Sequence, residues 1–223
     1  MFIILSGVLS RHEVEQVLAL AAQGAFQDGK KTAGGPIRHL KNNLQLDKSG
    51  SAAQEIDRII LGKLARNREF SNATLAKRIL SPIISRYETG MAYGQHVDSD
   101  IVGSQNPVRA DLSLTIFLAD PGSYDGGELV LSTPFGEQMV KLPAGDAVIY
   151  TTSAPHRVAT VERGVRIAAV SWIQSVIRDD AKRQIILDVQ TAMERVMKEN
   201  PDSEEARLMF KTRANLMRMW AEH

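Results

Sequence analysis

Three side chains in this sequence could share one metal ion: His96, Asp98 and His156. His96 and Asp98 flank a single residue in Tyr93-Gly94-Gln95-His96-Val97-Asp98, and on an extended chain residues two apart face the same way, so imidazole and carboxylate would converge. His156 opens a β-like segment downstream that could lie across a sandwich from them. Two neutral imidazoles and one carboxylate form the facial triad of non-haem Fe(II) oxygenases, which leaves coordination positions open for co-substrate and oxygen. The same ligands suit zinc, and a His-x-Asp triplet taken alone fits a hydrogen-bonded pair on a strand equally well.

Arg166 narrows the choice. The segment from His156 to Arg166 reads as strand, turn, strand, and a hairpin centred near Val161–Arg163 would bring Arg166 roughly opposite His156. A guanidinium there can grip a carboxylate through two parallel hydrogen bonds. Metal, open coordination positions and an arginine together describe a pocket for a chelating dicarboxylic acid.

The elements that must hold these residues are readable from periodicity. Ser10-Arg11-His12-Glu13 is a capping box, and Val14, Val17, Leu18, Ala21 and Ala25 follow at helical spacing, predicting a helix over 11–27. Residues 28–35 are polar and glycine-rich, a loop. A second helix is predicted over 51–67, burying Ile56, Ile59, Ile60 and Leu64. Between Leu75 and Gln174 lie short β-branched runs: Leu112–Leu118, Glu128–Leu131, Gln138–Leu142, Ala147–Tyr150 and Val165–Trp172. Gly145-Asp146 and Glu162-Arg163-Gly164 read as turns between them. Many short strands punctuated in this way predict an antiparallel sandwich or jelly roll. From Arg178 the pattern is helical again, with a stripe of Ile185, Ile186, Val189, Met193, Val196 and Met197, a break at Asn200-Pro201, and a second stripe of Met209, Leu216, Met217 and Trp220. The expected class is α+β, with a jelly-roll domain over residues 1–177 and a helical extension over 178–223. That tail packs either on its own core or against a second copy.

Bulk properties exclude more than they assign. The 223 residues suffice for one well-buried domain. A net charge of +1 gives no footprint for nucleic acid or an anionic membrane. The absence of cysteine removes disulfides, thiolate metal sites, iron–sulfur clusters and cysteine nucleophiles. Met1-Phe2-Ile3-Ile4-Leu5 lacks the basic flank of a signal peptide and reads as a first strand, and no apolar run is long enough to span a bilayer; the cytoplasm is the expected location.

Residues 87–98 resemble the Tyr-x-x-Gly-x-x-Tyr-x-x-His-x-Asp segment of the prolyl 4-hydroxylase superfamily, here Tyr87, Gly90, Tyr93, His96 and Asp98. Gly126-Gly127-Glu128-Leu129 resembles its Gly-Gly-Glu turn, and His156 with Val161, Gly164 and Arg166 resembles its last signature. The fuller likeness is to the bacterial PKHD-type hydroxylases, associated with iron uptake. It extends to Lys41-Asn42-Asn43-Leu44-Gln45-Leu46, to Asp111-Leu112-Ser113-Leu114-Thr115 and to the helical tail. The resemblance implies a double-stranded β-helix, Fe(II) on His96, Asp98 and His156, 2-oxoglutarate with its far carboxylate on Arg166, and Tyr87 as a second residue for that co-substrate. It also implies L-ascorbate as a supporting cofactor, O2, and a small-molecule or peptide substrate. The alternative is a sensor that binds iron and 2-oxoglutarate without turnover.

Several residues have a plainer reading beside the functional one. Tyr93 packs by the metal or faces substrate; Thr115 adds a hydroxyl to the pocket or is simply a β-former. Gly126 and Gly127 serve a backbone turn. Lys41-Asn42-Asn43 either contacts substrate or forms a turn. His12, His39 and His223 are expected at the surface.

Overall fold

The computed structural model describes residues 1–32, 34–103 and 106–222. Two antiparallel sheets face one another, and helices cover the outer face of the larger. The larger sheet has nine strands. Its main path runs Phe2–Leu5, Ala147–Thr151, Leu112–Phe117, Val161–Ser175, Ile83–Glu88, Leu44–Leu46 and Phe26–Asp28. Tyr124–Gly126 and Ala76–Ile79 pair near the two ends of the long strand Val161–Ser175. The smaller sheet has five strands, ordered Gly136–Val140, Leu129–Thr133, His156–Val158, Ala92–His96 and Lys41–Asn42. This is the expected jelly roll.

Side-chain alternation divides each strand of the larger sheet between two interiors. On Leu112–Phe117, Leu114 and Ile116 join a core beneath the helices with Ile149, Ala169 and Ile84. Ser113, Thr115 and Phe117 are equally buried but face the smaller sheet, where Phe117 packs with Leu129, Leu131, Val148 and Tyr150. Polar residues on the inner face of a fully buried strand need partners, and the cavity between the sheets supplies them.

Helix α1 (Arg11–Gln23) begins on the predicted capping box: Ser10 Oγ accepts from Glu13 N–H, and the Glu13 carboxylate accepts from Ser10 N–H. It buries Val14, Val17 and Ala21 against α2 (Ser51–Arg66), which contributes Ile56, Ile60 and Leu64. Helix α1 stops four residues short of the predicted end because the chain turns at Gly24 into the strand Phe26–Asp28. Helix α3 (Arg68–Thr74) follows at once, started by Asn67, whose side chain accepts from Phe70 N–H at 2.8 Å. Its seven residues carry too short an apolar pattern for periodicity to find. Residues predicted as a loop after Asp28 form short 3₁₀ turns at Gly29–Thr32 and Gly35–Leu40.

Two expectations about the strands are overturned. Glu162-Arg163-Gly164 is not a turn but part of the strand Val161–Ser175. No hairpin joins His156 to Arg166: the chain crosses between sheets, His156–Val158 pairing in the smaller and Val161–Ser175 in the larger. Val158 and Val161 bury against Tyr87 at this crossing, which shields them better than a hairpin at the sheet edge would.

The tail forms the expected helical pair, α4 (Asp180–Glu199) and α5 (Glu204–Trp220). Its buried stripe is rotated from the prediction. Helix α4 buries Arg183, Ile186, Gln190 and Met193, while Ile185 and Met197 are exposed. Arg183 is tolerated there because it donates to the carbonyls of Ile177 and Arg178 and to Asp180. The Met1 amino group binds Asp180 at 2.8 Å, and Arg109 reaches Glu222 at 2.7 Å, tying the tail to the β-core. Among the described residues no helix is long and apolar enough to cross a membrane.

Candidate functional site

The smaller sheet brings the two candidate histidines together by register. His156 lies directly opposite His96 on adjacent antiparallel strands, rather than across the sandwich as predicted. Their ring centroids are 4.3 Å apart. Asp98 follows just beyond the end of the His96 strand, and its oxygens stand 3.6 Å from His96 Nε2 and 3.8 Å from His156 Nε2. One ligand atom from each of the three lies within 4.8 Å of the others.

Each imidazole is oriented by its own backbone. His96 Nδ1 is 2.9 Å from the Gly94 carbonyl, and His156 Nδ1 is 3.0 Å from the Ala154 carbonyl. A carbonyl can only accept, so these contacts call for a proton on each Nδ1 and leave each Nε2, the atom facing Asp98, as the one available to a metal. Burial pushes the His156 pKa down, further favouring the neutral ring. Burial works against the Asp98 charge, yet the neighbouring His96, His156, Ser113 and Trp172 hold its carboxyl at about 2. Ser113 makes the most direct contact, its Oγ donating to Asp98 at 2.7 Å from the larger sheet.

Tyr93 stacks on His96, ring centroids 3.7 Å apart and planes within 19°, and Tyr150 meets His156 edge-on at 5.1 Å. Tyr93 therefore packs against the cluster, as its first reading supposed. Thr115 lines the cavity rather than acting as a strand former alone.

The cavity, open to solvent, is lined by the three candidate ligands and by Arg166. Arg166 enters it from the larger sheet, where it pairs with Tyr87 across neighbouring strands. It is 2% exposed, and its guanidinium stands 5.2 Å from the Tyr87 ring and 5.5 Å from the Phe117 ring. Its Nε has no hydrogen-bond partner, and among the described residues no carboxylate is within ion-pair reach. Arg183, equally buried and likewise without a partner for Nε, differs in having a counter-ion: its terminal nitrogens donate to Asp180 and two carbonyls. A buried, uncompensated cation is costly unless an anion arrives to meet it. The Gly126-Gly127 turn leaves room for this arginine. Both glycines have φ of +67°, and a Cβ on Gly127 would come within 3.2 Å of Arg166 Cδ.

Sequence reasoning missed Ser113, Gln45, Ser85, Tyr150 and Trp172 as cavity residues or ligand supports. Their signal was small or polar residues at alternate positions in strands whose other face is aliphatic. It placed Lys41 without choosing its role; Lys41 is buried and lines the cavity. His12 and His39 are exposed and not part of the cluster, and His223 lies outside the described residues.

A jelly roll carrying a His-Asp-His cluster and an unpaired arginine in one cavity defines the 2-oxoglutarate- and Fe(II)-dependent oxygenase class, and the family profile of the 2OG-Fe(II) oxygenase superfamily matches residues 82–174. The chain belongs to the PKHD-type hydroxylases. It is 44% identical to the PKHD-type hydroxylase of Synechococcus sp. (strain JA-2-3B'a(2-13)) and 41% identical to that of Maricaulis maris (strain MCS10), with 100% of each chain covered in both cases. Among solved structures, a Pseudomonas putida prolyl-4-hydroxylase superposes with a TM-score of 0.55 at 16% identity, covering 78% of this chain and 92% of that one. A Trichoplax adhaerens prolyl hydroxylase in complex with a hypoxia inducible factor peptide fragment gives 0.56 at 17%, covering 83% and 86%. At such identities these two speak for the fold. The protein is accordingly an enzyme, a dioxygenase whose family uses Fe(II) and 2-oxoglutarate.

Proposed function

We propose that His96, Asp98 and His156 hold the ferrous ion, that Arg166 pairs with the far carboxylate of 2-oxoglutarate, and that the enzyme hydroxylates a small molecule or peptide within residues 1–177. The observation that carries this reading is the buried, unpaired guanidinium of Arg166 in the same cavity as the His-Asp-His cluster. The donor set suits Fe(II): two imidazoles whose Nε2 atoms face Asp98, with one carboxylate, would hold the ion and leave positions for co-substrate and oxygen.

When bound, iron and 2-oxoglutarate supply the oxidising chemistry, converting the co-substrate to succinate and CO2 as one oxygen atom goes to substrate. The protein's own residues orient and enclose. Ser113 fixes the Asp98 carboxylate, the Gly94 and Ala154 carbonyls fix the imidazoles, and Tyr87 walls the arginine pocket, its buried hydroxyl a second donor for the same carboxylate. Ascorbate would keep the iron reduced, and a role in iron uptake would make a siderophore-like molecule or a receptor peptide a candidate substrate.

The test is succinate production by purified protein given Fe(II), oxygen, ascorbate and a substrate panel. Turnover should vanish in His96→Ala and fall sharply in Arg166→Ala. Tight 2-oxoglutarate binding with no succinate under any condition would replace the hydroxylase with a sensor. Mass spectrometry of a cell extract can find the substrate: the product gains one oxygen atom with active enzyme and not with the His96 variant.

A further inference from the structure

The cavity contains a second buried cation, Lys41, that neither the metal cluster nor the 2-oxoglutarate site uses. Lys41 lies on the edge strand of the smaller sheet, paired with Tyr93, one strand away from His96. It is 7% exposed, and its ammonium stands 5.2 Å from the Tyr93 ring, whose plane stacks on His96. One ring thus separates the ammonium from a candidate metal ligand.

Its hydrogen bonding is incomplete. Lys41 Nζ donates to Thr32 Oγ1 at 2.9 Å, and Thr32 Oγ1 in turn donates to Gln45 Oε1 at 2.6 Å. An ammonium has three protons, so this chain fixes the direction of Nζ and leaves two donors for a ligand. Among the described residues no carboxylate is within ion-pair reach. Asp98 and Asp28 act on Lys41 through space, but Asp98 belongs to the metal cluster and Asp28 is exposed and accepts from Lys30 N–H.

Charge balance then identifies the missing ligand. In the loaded site proposed above, the ferrous ion, Asp98, the two carboxylates of 2-oxoglutarate and Arg166 neutralise one another. Among the described residues that line the cavity, Lys41 is left as the one uncompensated charge, and it is itself 7% exposed. Burial pulls its pKa down to about 8, against the raising influence of Asp98 and Asp28.

We infer that Lys41 is the substrate anchor, and that the substrate carries an anionic oxygen group, a carboxylate or its equivalent, which Lys41 meets from the smaller sheet while Arg166 enters from the larger. The inference rests on the proposed function, since it assumes that 2-oxoglutarate takes Arg166. It narrows the substrate class to molecules presenting an anion near the oxidised carbon, and it gives Lys41, which the sequence left between substrate contact and turn, a defined role.

The test uses full-length protein loaded with Fe(II) and saturating 2-oxoglutarate under anaerobic conditions, so that nothing turns over. Carboxylic acids are titrated beside their own primary amides: acetate and acetamide, benzoate and benzamide, hippurate and hippuramide. Binding is read from the fluorescence of Trp172, which lines the cavity, while the absorption of the iron–2-oxoglutarate complex reports that the co-substrate stays in place. At least one acid should bind more tightly than its amide by roughly tenfold or more, the yield of one charge-assisted hydrogen bond. The preference should disappear in Lys41→Met and persist in Lys41→Arg. No preference in the wild type, an acid that binds solely by displacing 2-oxoglutarate, or a preference that survives Lys41→Met would each overturn the inference. Failure of 2-oxoglutarate to bind at all would instead defeat the underlying assignment of Arg166.

Discussion

Ser113 and Asp98 tie the two sheets together at the metal cluster: the hydroxyl, fully buried in the larger sheet, donates at 2.7 Å to the carboxylate that leaves the smaller one. Ser113 stands opposite Tyr150 and Trp172 on neighbouring strands, so its position is set by three-strand register rather than by a flexible loop. The contact fixes which Asp98 oxygen faces His96 and which faces His156.

Ser113→Ala should therefore weaken metal binding while leaving the fold intact. Loss of an outer hydrogen bond to a metal ligand typically costs on the order of 10–100-fold in affinity. Titration of the apoprotein with Mn(II) or Co(II) by calorimetry checks this. An affinity equal to wild type would show that Asp98 is held without Ser113.

Gly127→Ala should damage co-substrate binding more than stability. The residue sits at φ +67°, and the new Cβ would meet Val161 Cγ2 at 3.0 Å, the Tyr124 ring at 3.1 Å and Arg166 Cδ at 3.2 Å. The backbone penalty is about 1 kcal/mol, which a folded domain survives, but Arg166 must shift. The KM for 2-oxoglutarate should rise with a far smaller change in melting temperature. A variant that melts early yet keeps a wild-type KM would show that Arg166 has space to spare.

The capping box at α1 predicts an acid-dependent loss of stability. Burial alone would raise the Glu13 pKa. The hydrogen bond from Lys63 of α2 and those from the Ser10 backbone and hydroxyl outweigh it, and hold the carboxyl at about 2 against an ordinary 4.5. Folding thus favours the charged form. Its contribution is complete above the ordinary value and is lost as pH falls through about 2. Glu13→Gln should cost about 1 kcal/mol near neutrality, the usual worth of a cap. The difference between variant and wild type in urea denaturation should shrink toward zero below pH 3; a constant difference would mean that Glu13 acts by packing rather than charge.

The prediction from α1 was readable because its determinants are local: four consecutive residues make the cap, and the periodic apolar stripe makes the buried face. The triad was readable for a similar reason, since His96 and Asp98 are near neighbours and the tyrosine–glycine frame before them is distinctive. Arg166 does reach the cavity of the histidine cluster, but not through the geometry its spacing suggested. The spacing from His156 suggested a hairpin, whereas the chain changes sheets at Ala159-Thr160, a decision made by Val158, Val161 and Tyr87 burying together, and these are distant in sequence. The α4 stripe failed for another reason. Apolar periodicity cannot announce that Arg183 will be buried, because its partners are backbone carbonyls and a carboxylate shared with the N-terminus. Ser113 and Lys41 were invisible or undecided as site residues because their meaning depends on strand register between sheets.

Arg166 gives the sharpest test, because function and stability should move in opposite senses. A buried guanidinium without a counter-ion burdens the ligand-free fold, and replacing such a charge by an apolar side chain of similar length is often neutral or stabilising. Its contacts with Tyr87 and Phe117 offset part of that burden, each worth about 0.5–2 kcal/mol. Arg166→Met should therefore melt at or above the wild-type temperature without 2-oxoglutarate. Its affinity for 2-oxoglutarate should fall on the order of 100-fold, the loss of two charge-assisted hydrogen bonds. Ligand at one hundred times its Kd stabilises wild type by about 2.7 kcal/mol, so the order of melting temperatures should reverse when metal and 2-oxoglutarate are added. Arg166→Lys keeps the charge but not the fork and should fall between the two. If Arg166→Met instead melts lower in the absence of ligand and binds 2-oxoglutarate as wild type does, the arginine is a structural residue and the carboxylate site lies elsewhere.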